Sequence, residues 1–127
     1  MGQSFKSFAF SMAAIAILGA STASVQAQTV RVKCDARDNQ STASVDGRNL
    51  AAGLYSTTLE SGPNMAQSPQ VASVQGEIET DYSSKQRDVR RGATKIDADF
   101  IVKNKVTGSL LDADGNVLDS QTVKCRH

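Results

Sequence analysis

The sequence predicts an all-β fold, a single antiparallel β-sandwich of about seven strands. Apolar and polar residues alternate with period two along most of the chain after residue 27, which is typical of strands with one buried face. Segments rich in Gly, Pro, Asn and Asp separate these stretches at short intervals and predict turns. Residues 28–127 have the length of one small domain with one core.

Residues 1–27 are predicted to be a secretory signal peptide rather than part of the fold. Lys6 provides a positive start, residues 8–20 form an apolar stretch, and small residues precede a cleavage site after Ala27. The apolar stretch is too short to span a bilayer, so we expect no membrane span after cleavage. The mature chain, residues 28–127, is therefore expected to be a bacterial periplasmic or secreted protein.

The first predicted strands lie in the N-terminal half of the mature chain. In TVRVKCDAR (residues 29–37) small or apolar residues alternate with charged ones. STASV (residues 41–45) is a second strand, and DGRN (residues 46–49) is predicted to turn the chain. LYSTTLE (residues 54–60) places Tyr55, Thr57 and Leu59 on one face, and ESGPN (residues 60–64) is a further turn.

The longest alternating stretch is VASVQGEIETDY (residues 71–82), predicted as one continuous strand, and TKIDADFIVK (residues 94–103) is predicted as the next. Between them, SSKQRDVRRGA (residues 83–93) breaks the alternation. It is interpreted as a solvated loop with one helical turn ending at Gly92. The alternative is a basic patch formed by Lys85, Arg87, Arg90, Arg91 and Lys95.

Two strands, KVTGSLL (residues 105–111) and NVLDSQTVKC (residues 116–125), complete the predicted sandwich. The large side chains at inward positions of the predicted strands should form the core. These residues are Tyr55, Leu59, Ile78, Tyr82, Ile96 and Phe100.

The only two cysteines, Cys34 and Cys125, fall on inward positions near the two ends of the mature chain. An exported chain meets an oxidising compartment, and two cysteines permit one intramolecular pairing. We therefore predict a Cys34–Cys125 disulfide that joins the first and last strands.

The stretch LLDADGNVLDS (residues 110–120) has two interpretations, a calcium loop or a hairpin. Asp112, Asp114 and Asn116 alternate as at the start of an EF-hand loop, which requires Gly at position six and Glu at position twelve. Val117 and Val123 occupy those positions, whereas Asp-Gly suits a tight turn between strands. The sequence favours the hairpin, and a calcium site of another kind on these three residues remains open.

The sequence lacks a convincing catalytic set, so we expect a protein that is not an enzyme and has no cofactor. The only histidine, His127, is the last residue, and a frayed end holds a general base poorly. The pairs Glu77/Glu79 and Asp97/Asp99 have the strand spacing of a glycosidase carboxylate pair. Their simpler interpretation is as exposed charges that keep the protein soluble.

Two motifs resemble secreted bacterial transthyretin-like and carboxypeptidase-regulatory-like domains. VTGSLLDADGNVL (residues 106–118) is similar to the family's V-x-G-x-V-x-D-x-x-G-x-x-L strand, and LAAGLYSTTL (residues 50–59) is similar to its L-x-x-G-x-Y-x-x-x-V strand, in reversed order. The resemblance implies an immunoglobulin-like sandwich, and it transfers no catalytic or binding residue.

Composition and export together favour a non-enzymatic structural or protein-binding module whose partner is another envelope or secreted protein. The mature chain carries 13 basic and 13 acidic side chains, because Lys6 is the only charged residue in the predicted signal. This balance argues against nucleic-acid binding. The alternative is a calcium- or glycan-binding accessory domain that uses Asp112, Asp114 and Asn116, and a third possibility is a hydrolase inhibitor that presents residues 83–92.

Overall fold

The computed structural model describes residues 27–127, so the predicted signal peptide lies outside the described residues except for Ala27. The described chain forms two β-sheets and one short helix, and the prediction of an all-β sandwich is confirmed. Its elements are β1 (Thr29–Arg37), β2 (Gln40–Arg48), β3 (Leu54–Ser61), β4 (Asn64–Gln67), β5 (Val71–Ala72), β6 (Ile78–Ser83), α1 (Gln86–Arg90), β7 (Thr94–Lys95), β8 (Lys105–Leu111) and β9 (Val117–Lys124).

One sheet has four strands in the order β1-β2-β6-β7, and the other has five. In the five-stranded sheet the order is β9-β8-β3-β4, and β5 pairs with the beginning of β3. All neighbouring strands are antiparallel except β6 and β7, which are parallel. Within residues 27–127, no helix is long and apolar enough to cross a membrane.

The six side chains predicted to form the core are all buried, and this prediction is confirmed. Glycines allow the two sheets to approach each other closely at the centre. A Cβ atom on Gly108 of β8 would lie 2.6 Å from Cγ2 of Val32 and 3.1 Å from Cγ2 of Val45 in the other sheet. The first distance is shorter than Cβ contacts in folded proteins and the second is tighter than most, so a side chain at position 108 would force its neighbours to shift.

Three hydroxyl groups in the core join the two sheets. Thr57 Oγ1 of β3 lies 2.7 Å from both Thr80 Oγ1 and Tyr82 Oη of β6. Thr80 donates its proton to the carbonyl oxygen of Val45, and Tyr82 Oη donates to the carbonyl oxygen of Thr57. Burial raises the pKa of the Tyr82 hydroxyl, so it stays a neutral donor. With those two protons assigned, the Thr57 hydroxyl donates to one of its two neighbours, so each of the three buried hydroxyls makes a hydrogen bond.

The prediction of one continuous strand over residues 71–82 is wrong. The chain crosses between the sheets there, from β5 in the five-stranded sheet to β6 in the four-stranded sheet. Gln75 and Gly76 take positive φ angles of 53° and 79°, which no strand accommodates, and Val74 is 69% exposed. Gly76 lies inside an alternating stretch, so the alternation alone does not indicate that the strand is interrupted there.

The prediction of a strand over residues 94–103 is also wrong beyond Lys95. The chain bends at Asp97, whose carbonyl oxygen accepts the Phe100 N–H, as in a turn. Ile96 and Phe100 reach the core from this bend, while Ala98 is exposed. The predicted turn at residues 46–49 begins later, because β2 continues to Arg48.

Candidate functional site

The hairpin interpretation of the stretch from Leu110 to Ser120 agrees with the structure, in which β8 and β9 pair as antiparallel neighbours. Oδ1 of Asp112 accepts the backbone N–H groups of Asp114 and Asn116, each at 2.9 Å, and Oδ2 accepts the Asn116 side-chain amide. These hydrogen bonds lower the pKa of Asp112. Gly115 takes a φ of 86° within the turn. The carboxylate of Asp112 therefore serves to close the turn.

The C-terminal end of the chain covers the outer edge of β1. The predicted disulfide is present, with Cys34 of β1 bonded to Cys125 just after β9. The backbone N–H of Arg126 donates to the carbonyl oxygen of Cys34, and the N–H of Ala36 donates to the carbonyl oxygen of Arg126. Residues 125 and 126 thus act as a short extra strand along this part of β1.

Two side chains of β9 cover the rest of that edge. Oδ2 of Asp119 accepts the backbone N–H of Val30 at 2.9 Å, and Oε1 of Gln121 accepts the N–H of Val32 at 2.8 Å. Asp119 and Gln121 lie opposite the inward-facing positions of β8, so they point towards the sandwich rather than away from it. Polar side chains at these positions satisfy backbone donors that would otherwise be open to strand pairing.

A groove of about 620 Å³ crosses the outer face of the four-stranded sheet, from α1 to the C-terminal tail. Its floor lies where β1, β2 and β6 run side by side, and residues paired across these strands point to the same face. Two such rows form the floor, one of Lys33, Ser44 and Asp81 and the other of Asp35, Thr42 and Ser83. The short side chains on the central strand β2 keep the middle of the floor low.

Charged side chains of both signs surround this floor. Lys124 and Arg126 line the end formed by the tail, and Asp88 and Arg91 line the end formed by α1 and its following turn. Lys33 lies on the tail side and Asp81 on the α1 side, because β1 and β6 are the two flanking strands. The lining carries four basic and three acidic side chains, which an extended polypeptide with charges of both signs could match.

The wall at α1 is held by a buried serine. The Ser83 hydroxyl donates to Oδ2 of Asp88 at 2.8 Å and accepts the backbone N–H of Lys85. Ser83 is 2% exposed. Both hydrogen-bonding functions of this hydroxyl are used to position the helical turn, so Ser83 serves the structure rather than a reaction.

Asp35 of the groove floor makes a close ion pair with Arg37, two residues further along β1. Nε of Arg37 lies 2.9 Å from Oδ1 of Asp35, the residue whose backbone pairs with Arg126. The approach is not aligned as a hydrogen bond, so within residues 27–127 this buried carboxylate oxygen has a charge partner but no hydrogen-bond donor. The guanidinium charge compensates the carboxylate without fixing its orientation.

The outer face of the four-stranded sheet continues beyond the groove as a cluster of carboxylates. Burial raises the pKa of Asp46 on β2, and the neighbouring charges of Glu79 and Asp81 on β6 raise it further. Lys33 and Arg48 act in the opposite direction. No group of three His, Cys, Asp or Glu residues in the described part of the chain is arranged to hold a metal ion.

The remaining residues singled out in the sequence lie apart from one another. Asp97 and Asp99 sit on a bend, so the predicted pairing on one strand face is wrong for them, and Glu77 precedes β6. His127 is exposed at the end of the chain. In the predicted basic segment, α1 is the expected helical turn, Gly92 takes a φ of 109° after it, and Arg91 reaches the groove.

No protein-family model, no curated protein and no solved structure matches this chain.

Neither the groove nor the cover over the β1 edge was predicted from the sequence. The groove depends on which strands become neighbours, and nothing in the local pattern states that β2 lies between β1 and β6. The sequence does, however, contain a signal for the cover over the β1 edge. Asp119 and Gln121 share the parity of Val123 and Cys125 in the last strand, and polar residues at inward positions of an edge strand indicate a protected edge.

Proposed function

We propose that this protein is an exported, non-enzymatic module of the periplasm or cell exterior that binds another envelope or secreted protein. The groove across the four-stranded sheet is the observation that carries the proposal. The short side chains in the middle of its floor leave room for an extended polypeptide, and the charges around them can select one with both acidic and basic residues.

Two further features support export and binding rather than catalysis. The disulfide suits an oxidising compartment, in keeping with removal of residues 1–27 as a signal peptide. The hydroxyl and carboxylate groups that line the groove at Ser83 and Asp88 bond to each other, as described above, and both thiols of the chain are consumed by the disulfide. None of these groups is an activated nucleophile.

Photocrosslinking in cells that naturally produce the protein tests this function. A photoreactive amino acid replaces Ser44 on the groove floor in one variant and Thr58, on the outer face of the other sheet, in the matched control. We expect a defined protein adduct from position 44 and none of the same mass from position 58. Equal adducts from both faces, or none from either, would contradict groove binding.

Once the partner is purified, a bulky substitution gives a quantitative test. Ser44→Trp fills the floor and should weaken binding by about tenfold or more, while Thr58→Trp should leave the affinity unchanged. Thermal unfolding of both variants checks that the fold survives. Unchanged binding by Ser44→Trp would show that the partner uses another surface.

A further inference from the structure

We propose that the outer edge of β9 pairs antiparallel with the same edge of a second copy of this chain, which joins two five-stranded sheets into one. This inference concerns a surface other than the groove floor and does not depend on the proposed function. It follows from a comparison of the four strand edges that border the two sheets.

Backbone groups on β9 point away from β8 at alternate residues. The N–H of Cys125 donates to the carbonyl oxygen of Asn104, so this pair occupies a hydrogen-bonded position of the ladder. Antiparallel ladders alternate between bonded and non-bonded pairs, so the pairs of β9 with Lys105, Thr107 and Ser109 are non-bonded. The N–H and carbonyl groups of the three partners therefore face outward. These partners are Ser120, Thr122 and Lys124.

Within residues 27–127, these outward backbone groups have no partner, and all three residues are exposed. The other three edges are protected. Side chains and the tail cover β1, β4 has only four residues, and the uncovered part of β6 carries Glu79 and Asp81. Natural sheets use these same devices to prevent pairing. The edge of β9 is eight residues long, and the side chains at its middle are uncharged.

A second copy is the occupant that this edge fits. Antiparallel pairing of a strand with itself has two-fold symmetry, so one surface supplies both partners. Pairing about Thr122 places Thr122 opposite its own copy and Ser120 opposite Lys124 of the second copy, which keeps the lysines apart. The equal numbers of acidic and basic residues in the mature chain remove any long-range repulsion between copies.

The outer face next to this edge is also suited to continuation across a dimer. Thr107 Oγ1 lies 2.7 Å from Thr122 Oγ1, and Ser109 Oγ lies 2.8 Å from Ser120 Oγ. These hydrogen bonds already hold the side chains of Ser120 and Thr122 in place. Little side-chain conformational entropy is therefore lost when a second copy pairs with β9.

Sedimentation velocity over a concentration series tests the proposal, with the protein purified in the form that an expressing bacterium exports. Thr122→Pro removes the outward N–H, and proline is tolerated in an edge strand where the N–H faces away from the sheet. We expect it to weaken self-association by about tenfold or more. The matched control, Thr122→Ala, loses the same hydroxyl but keeps the N–H and should still dimerise.

Amide hydrogen exchange gives a second measurement that needs no variant. The amides of Ser120, Thr122 and Lys124 should exchange fast in dilute protein and slow as the concentration rises, while those of Gln121 and Val123, bonded to β8, stay slow throughout. A wild-type protein that remains monomeric, with no concentration-dependent protection, would overturn the proposal. A dimer that Thr122→Pro leaves intact would overturn it too. Ser44→Trp should not affect self-association, so this result and the groove test fail independently.

Discussion

The strands β1 and β9 border the same side of the sandwich, yet their outer edges are treated in opposite ways. On β1, the outward N–H groups of Val30, Val32 and Ala36 all have acceptors supplied by the last ten residues of the chain. On β9, the outward groups are left to solvent within the described residues. The edge of β1 is thus covered by side chains of β9 and by residues 125 and 126, whereas no described residue covers the edge of β9.

This difference shows that edge protection depends on which side chains point inward. Asp119 and Gln121 reach β1 because they alternate with outward-facing Ser120 and Thr122 on one strand. A shift of one residue in the β8–β9 register would turn the two polar side chains away from β1 and bury the hydroxyls instead. The β-bulge between Leu110 and Leu111 is where that register is adjusted.

Loss of the disulfide should have the largest effect on the free energy of unfolding. This bond links β1 covalently to the residue that follows β9. Replacing Cys34 and Cys125 with Ala opens a loop with a sequence separation of 91 residues. The chain-entropy estimate is a loss of about 4.6 kcal/mol in the free energy of unfolding, an upper figure. Urea unfolding measures it, and treating the wild type with a reductant under the same conditions is the control. An unchanged midpoint would mean that the noncovalent contacts alone hold the tail.

Substitution of Gly108 should come next, because it separates β8 from β1 and β2. Gly108→Ala would force its new methyl group against Val32 and Val45, at a cost of about 1–3 kcal/mol. The control is Gly53→Ala, whose Cβ would meet nothing closer than 3.7 Å and which should stay within about 0.5 kcal/mol. Thermal unfolding compares the two. Equal effects would contradict the close approach of the sheets at Gly108.

Removal of one side-chain acceptor should have a smaller and more local effect. Asp119→Ala leaves the Val30 N–H without its acceptor, and water can partly replace it at this edge, so we expect a loss of about 1 kcal/mol. The Val30 amide should exchange faster while those of the β2 partner strand do not. Asp119→Asn keeps an acceptor oxygen and should restore most of the protection. If Asn and Ala behave alike, the hydrogen bond contributes nothing to the edge.

The elements that could be predicted from the sequence are those specified by local alternation. The strand at 29–37, the inward set at 54–60, the hairpin at 112–116 and the disulfide all follow from parity, turn residues and cysteine placement, and the structure contains each. Alternation predicts a strand correctly where one face of the strand is buried and no residue takes a positive φ angle.

The failures occurred where the chain leaves one sheet for the other. Residues 71–82 and 94–103 keep an alternating pattern through a crossing and a bend, because Ile96 and Phe100 reach the same core from non-strand backbone. The groove could not be predicted at all, since its rows join β1, β2 and β6, and the β2–β6 pairing joins residues 31 to 41 positions apart.

The smallest expected effect is a gain in stability, and it concerns Asp46 of β2 on the outer face of the four-stranded sheet. Because burial and the charges of Glu79 and Asp81 raise the pKa of Asp46, the folded state binds its proton more tightly than the unfolded chain does. The ionised carboxylate therefore costs stability above the raised pKa, and this cost disappears as the pH falls below the unfolded value. Asp46→Asn should raise the free energy of unfolding at neutral pH by about 0.5 kcal/mol, a figure kept small because solvent screens this partly exposed group.

The pH dependence separates this cause from a packing effect. The advantage of Asp46→Asn over the wild type should shrink as the pH is lowered, because the wild-type carboxyl then becomes neutral as well. Asp99→Asn, at an exposed bend, is the control and should change stability little at any pH. Urea unfolding of the three proteins across acidic to neutral pH provides the comparison. A constant difference between Asp46→Asn and the wild type at every pH would show that the amide alters packing, and that the carboxylates on β2 and β6 do not repel one another enough to affect stability.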